Sequence, residues 1–489
     1  MLFRQPSTCT IRGKRHLRKR ENASFPETLS GQKNAQEMMG KNLTASLNKG
    51  VDVYLTGSGV PLIWIQLRGI DAPSGMLGTS TVLESLPMAR ESPETPTRDE
   101  LQHYVRERFP IEWTKKKNMP TTYADITSTS VHDAIALLTH NLVNITDTTG
   151  QFLMTLPDGR VIDTKGWNDW EWTHGIGLYG LYKYYSLTNS PETLKIVEDW
   201  FASRFAAGGT TKNINTMAAL LTLAYVFEET GNKKYLPWLD SWAEWAMYDL
   251  ERTEYGGMQH ITYLTPNTQQ LWDDTLMMTV LPLAKIGKVL GRPHYVEEAK
   301  RQFLIHIKYL FDTRTGLWFH GWSFEDGGHN FARARWARGN SWVTIVIPEF
   351  IELLDLPAAD PLRIHLIDTL EAQCRALKKY QDKSGLWRTL LDHDDEGSYM
   401  EASATAGFAY GILKAVRKKY IGPEYEEVAV RAIKAVMGQI DKEGELQNTS
   451  FGTGMGDSLQ FYKDIPRTSM PYGQAMAIMA LGEFLRKFL

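Results

Sequence analysis

The chain has 489 residues, 43% of them hydrophobic, and a formal charge of −3. A near-neutral balance leaves no polyelectrolyte footprint for nucleic acid, and no apolar run approaches the ~20 residues of a membrane helix. Two cysteines, Cys9 and Cys374, exclude a disulfide scaffold and suit a reducing, cytoplasmic compartment.

Met1 to Arg20 is basic and acid-poor, without the apolar stretch of a secretory signal; it reads as a targeting segment or a basic tail. Residues 21–97 are rich in Ser, Thr, Gly, Pro and Asn. Disorder is expected over residues 1–97, with one apolar island, Val60 to Leu67, as a strand or docking segment.

From residue 98 to 489 the spacing predicts paired helices. They run Val131–Asn144, Trp170–Ser186, a helix from Ser190, Asn213–Thr230, Lys233–Leu250, Asp273–Leu290 and His294–Phe311. They continue with Arg338–Leu354, Asp360–Tyr380, Glu401–Tyr420, Pro423–Ile440 and Met470–Phe488. The first member of each pair is apolar all round, as in DTLMMTVLPLAKIG, so it is buried on every side. The second is amphipathic with charged stripes, as in EYEEVAVRAIKAVMGQI. An inner ring wrapped by an outer ring follows: an all-α (α/α)6 barrel of six hairpins. An open solenoid is the rival, but the last helix is as apolar as the other inner ones, which favours closure.

The loops entering the inner helices are long and chemically unusual. They carry Trp172 and His174; Lys212, Asn213 and Asn215; Trp272, Asp273 and Asp274; His320, Trp336, Arg338 and Trp342; and Glu401 and Tyr462. In a barrel these meet at one rim. With 15 Trp, 21 Tyr and 18 Phe, the chain has the aromatic surface that stacks on sugar faces, although a large aromatic core would use the same residues.

Asp274 can cap a helix or do chemistry. A dry wall of Trp272, Met277 and Met278 raises a carboxyl pKa, whereas a helix N-terminus lowers it. Asp273 or Thr275 is expected to serve the cap. Arg338 sits between indoles, where its fork suits a sugar carboxylate or a structural ion pair. His320 reads as a core histidine or a donor to substrate. Glu401 is expected to cap its helix. No HExxH, CxxC or phosphate loop occurs, and FGTGMG at Phe451–Gly456 lacks the flanking strand and helix of a nucleotide site.

WDDTLMM, HGW at His320–Trp322 and WARGNSW at Trp336–Trp342 together resemble glycoside hydrolase family 105, the unsaturated rhamnogalacturonyl and glucuronyl hydrolases, and more distantly family 88. The resemblance runs from about Val131 to the C-terminus. It implies an (α/α)6 barrel with no metal or organic cofactor. It also implies a hydrolase that removes a 4,5-unsaturated galacturonyl or glucuronyl residue from the non-reducing end of lyase-generated oligosaccharides. By resemblance the acid is Asp274, and the sugar-binding residues are Trp172, His320, Trp336, Arg338 and Trp342. Trp272 and Asn213 complete the expected binding set. Many relatives carry an aspartate where this chain has KNINTM, which puts the substrate in question. The expected partner is the oligosaccharide alone, the chain being a monomer or weak homo-oligomer. A sugar epimerase using His320 and His174, and a non-catalytic sugar-binding barrel, are the alternatives.

Overall fold

The computed structural model describes residues 121–489 and two strands, β1 (Val51–Leu55) and β2 (Ile63–Leu67). Chain contacts divide into Met1–Lys117 and Asn118–Leu489. In the first unit β1 and β2 pair antiparallel, Val51 opposite Leu67, and β2 falls within the island expected at Val60–Leu67. The expected disorder of residues 1–97, the basic segment and the 97/98 boundary otherwise lie outside the described residues.

Leaving aside the five-residue helix Leu459–Lys463, the second unit is built from twelve α-helices. They are α1 (Ser128–Asn144), α2 (Trp172–Thr188), α3 (Pro191–Ala206), α4 (Ala218–Thr230), α5 (Leu236–Glu244) and α6 (Leu281–Val289). The second half comprises α7 (Pro293–Leu310), α8 (Ala337–Leu354), α9 (Pro361–Tyr380), α10 (Ala402–Arg417), α11 (Glu426–Met437) and α12 (Pro471–Phe488). Even-numbered helices are buried nearly all round, as the sequence predicts: every residue of α10 from Ala402 to Val416 is buried. Odd-numbered ones bury a stripe; in α7 it is Tyr295, Ala299, Phe303, Ile307 and Leu310. Each even helix packs on the next, and α12 returns to α2, with α1 packed against α12. The ring is therefore closed: the fold is an (α/α)6 barrel, not an open solenoid.

Small residues let the inner helices touch. A Cβ on Gly411 of α10 would lie 2.2 Å from the Thr344 carbonyl oxygen of α8, and one on Gly180 of α2 would lie 2.9 Å from Ala475 Cα of α12. Gly411→Ala is expected to cost about 1–3 kcal/mol by overpacking, despite alanine's better helix propensity. A urea midpoint equal to wild type would show that α8 and α10 separate freely.

A turn repeats after the outer helices. Asp147, Asp312, Asp382 and Asp441 each accept a backbone N–H two residues on. A glycine with positive φ follows: Gly150, Gly316, Gly385 and Gly444. Three of the four then hand the chain to a fully buried wedge: Trp318, Trp387 and Leu446. Toward the C-terminal ends of the inner helices, buried Glu349 of α8 meets Lys183 of α2 at 2.9 Å and Lys414 of α10 at 2.7 Å. That leaves the N-terminal ends for the pocket.

Among the described residues, no helix is long and apolar enough to cross a membrane.

Candidate active site

The N-terminal ends of α2, α4 and α8, and the approach to α6, converge on a small cavity. It is lined by Trp172, Asn215, His260, Trp272, Asp274, Met278, Trp336, Arg338 and Thr453. A larger, open depression lies beside the end of α1, but Asp163 is its one titratable lining residue. The chemistry is at the smaller cavity.

A short ladder fixes the acid. Strand β3 (Gln270–Trp272) pairs antiparallel with β4 (Gly321–Ser323), placing Gly321 opposite Trp272. The Asp273 N–H donates to the His320 carbonyl at 2.9 Å. This pins the two chains together and brings His320 Nε2 to 3.2 Å from Asp274 Oδ2. His320 Nδ1 and Tyr462 Oη share a 2.7 Å hydrogen bond. Burial holds the Tyr462 phenol above its ordinary range, so it keeps its proton. With that proton given to Nδ1, Nε2–H is the face His320 turns to Asp274.

The two acids have divided roles. Asp274 lines the cavity with its side chain 16% exposed. Asp273 is fully buried and faces the start of α8: a Cβ on Gly339 would lie 2.4 Å from its Oδ2. The expected capping role is not seen. Neither Asp273 oxygen has a hydrogen-bond partner of proper geometry, and Thr275 Oγ1 instead meets His260 Nδ1 at 2.8 Å. Burial, reinforced by the Asp274 charge, holds Asp273 well above the carboxylate range. Burial pushes Asp274 the same way, but His320 and its other neighbours outweigh it and hold Asp274 below the usual range. Carboxylate and imidazole atoms of Asp273, Asp274 and His320 lie within 4.8 Å of one another.

Arg338 is fully buried. Its Nη1 donates to the Ser450 carbonyl at 2.6 Å and to Ser450 Oγ. Its Nη2 donates to the Phe451 carbonyl at 3.0 Å and to Thr453 Oγ1 at 3.1 Å. The expected carboxylate fork is therefore engaged by the chain itself, and Nε is the donor without a partner. No carboxylate of the described residues lies within ion-pair distance of the guanidinium. Glu401 is one step removed, accepting from the Ser450 N–H at 2.8 Å while capping α10 at Ala404 N–H. The cation is packed on Trp336 at 4.5 Å and on Tyr472 at 4.9 Å. Trp336 Nε1 is a second buried donor without a partner.

Trp172, Trp272, Asp274, Trp336 and Arg338 are thus brought together at the cavity, with His320 directly behind Asp274. Trp342 is fully buried, edge-on beneath Trp172 at 6.0 Å, and supports that ring from below. Asn213 is turned away: its side-chain oxygen accepts the Thr216 N–H at 3.0 Å, and Asn215 takes the cavity position. His174 belongs to the α2 cap, its Nδ1 accepting the Glu171 N–H at 3.0 Å. It therefore does not pair with His320 in the cavity. The sequence reading missed His260 and Thr453. His260 lies in an irregular loop and is recognisable only by its fold: it stacks on Trp272 at 4.1 Å, and burial pushes it down to about 3, so it is neutral. Thr453 lies in FGTGMG, whose glycine content drew attention to nucleotides rather than to a loop folded onto Arg338.

An (α/α)6 barrel with one cavity-facing acid in an aromatic wall is an arrangement that a glycoside hydrolase of the helical-barrel class can use. Comparison with known proteins makes this specific. The model of "Glycosyl Hydrolase Family 88" matches residues 144–488, so the chain belongs to that family. It is 63% identical to a Salmonella enterica protein described as a possible member of family 105, covering 76% of this chain and 97% of that one at a TM-score of 0.74. A family 105 glycoside hydrolase of Clostridium acetobutylicum is 26% identical, covering 65% and 94% at 0.59. The Bacillus subtilis unsaturated rhamnogalacturonyl hydrolase YesR is 29% identical over 322 residues, 65% of this chain and 90% of YesR.

Proposed function

We propose that the enzyme removes a 4,5-unsaturated uronic acid, galacturonyl or glucuronyl, from the non-reducing end of an oligosaccharide. One observation carries the reading: a buried guanidinium with no paired carboxylate among the described residues lines the same small cavity as Asp274. A desolvated cation without a counter-ion is costly, and an anionic sugar supplies the missing charge. The names of relatives such as YesR support the same substrate class.

The substrate's C4=C5 bond is a vinyl ether conjugated to a carboxylate. Asp274 gives a proton to C4, the π pair becomes the C4–H bond, and positive charge develops at C5 and the ring oxygen. Water adds its oxygen to C5 and returns a proton to Asp274. The C5 hemiketal opens to a ketone, and the hemiacetal freed at C1 releases the aglycone. One carboxyl serves as acid and then base, so the paired carboxylates of ordinary glycosidases are not required. Trp172, Trp272 and Trp336 hold the ring by stacking. Arg338 Nε and its charge orient the carboxylate. His320 steadies the ionised Asp274.

The test is incubation with unsaturated oligosaccharides from pectin, glucuronan and arabinogalactan, followed by ultraviolet absorbance of the conjugated bond. Absorbance should fall on at least one substrate as the aglycone appears. Persistence of the absorbance on all three, as an epimerase or a binding barrel would leave it, rejects the proposal.

A further inference from the structure

Asp273 is a buried acid that the reaction above does not use. Both its oxygens lack a hydrogen-bond partner of proper geometry, its side chain is fully buried, and it lies against Gly339 in the first turn of α8. An ionised carboxylate in that setting would bear the full desolvation cost with nothing to offset it. A neutral carboxylic acid would not, and one of its oxygens lies within 4.8 Å of an Asp274 oxygen. Two carboxyls this close resist losing their last proton, because the second charge must form beside the first.

We propose that Asp273 is the positioning residue that keeps a proton on the Asp273–Asp274 pair, so that Asp274 has one to deliver at neutral pH. The inference rests on the reading of Asp274 as the acid. In the free site the proton resides on Asp273. When it passes to Asp274, the negative charge moves to Asp273. Delivery to C4 leaves both carboxylates ionised, which makes Asp274 a strong base. Water then adds to C5 and its proton restores the one-proton pair. No co-reactant beyond water enters.

The groups facing the pair are few. His320 stands on the β4 side, 3.2 Å from Asp274, and His260 beside Trp272 is neutral. Tyr462 comes from the Leu459–Lys463 helix and keeps its proton. Arg338, next to Gly339 on α8, is committed to Ser450–Thr453.

Asp273→Asn keeps the shape and removes the proton. Its activity is expected to fall about tenfold or more at neutral pH and to recover in acid. The alkaline limb of kcat/KM should move down by at least one pH unit with KM nearly unchanged. A limb that stays at the wild-type pH overturns the proposal.

Stability gives a readout independent of the reaction. A carboxyl whose folded pKa is raised makes the native state bind more protons than the unfolded chain above about pH 4, so wild-type stability declines as pH rises from there. Asparagine does not titrate, so Asp273→Asn should gain stability relative to wild type between pH 5 and 8 in thermal melts. A difference between variant and wild type that stays flat over that range would mean Asp273 is ionised in the folded protein and overturns the proposal. Because the melts need no substrate, this result stands apart from any failure of the double-bond assay.

Discussion

Asp274→Asn is expected to lower kcat by roughly 10²- to 10⁴-fold, the range typical of removing a positioned general acid–base. Asparagine fills the same volume beside Trp272 and His320 but has no proton acidic enough for C4. It also cannot take one back from water. The cavity's rings and Arg338 are untouched, so KM should change by only a few-fold. That split, in kcat rather than KM, is the signature of an interaction made in the transition state. It is measured from initial rates of absorbance loss, with calorimetric binding of the unsaturated substrate to the variant as the control. A variant within a few-fold of wild type would remove Asp274 from the chemistry.

Arg338→Gln should lower kcat/KM by about 10²-fold, equivalent to about 3 kcal/mol for a charge-assisted contact in a desolvated site. Two effects combine. The charge that faces the sugar carboxylate is lost, and four donors to Ser450, Phe451 and Thr453 are reduced to at most two. The methyl ester of the substrate separates them. Wild type should discriminate against the ester because it lacks the charge, and Arg338→Gln should treat acid and ester nearly alike. If the variant still prefers the free acid by the wild-type ratio, Arg338 acts only by holding the 450–453 loop.

The barrel was legible because it rests on periodicity. Helices apolar on all sides, such as α10 and α12, can only be inner, and amphipathic ones such as α7 can only be outer. Closure followed from the composition of α12 alone. The site was legible where a helix start carries the residue, as at Trp172, Asp274 and Arg338. It was not legible where tertiary contacts choose between neighbours. Asn213 and Asn215 look equivalent in sequence, and only the Asn213 bond to the Thr216 N–H turns one inward to the turn and leaves the other at the cavity. His260 has no local signal, since its place depends on stacking with a strand ten residues later. The capping expectation for Asp273 failed because a first-turn carboxylate can face a neighbouring helix instead of its own.

The segment between Asp274 and α6 is not α-helical: Leu276–Val280 forms one wide π turn before the chain settles into α6. Such a turn holds one residue more than its α equivalent, and it survives where that surplus serves a purpose. Here it uncouples two phases. The apolar face of α6 must stay in register with α4 and α8, while the residues ahead of it must aim Asp274 at the cavity and Asp273 at Gly339. Deleting one residue from 276–280 would let the helix run regularly and swing the preceding side chains by about 100° relative to the core. The spare residue thus acts as a phase adjuster, letting a core helix in fixed register and a chemically placed acid coexist on one continuous stretch of chain.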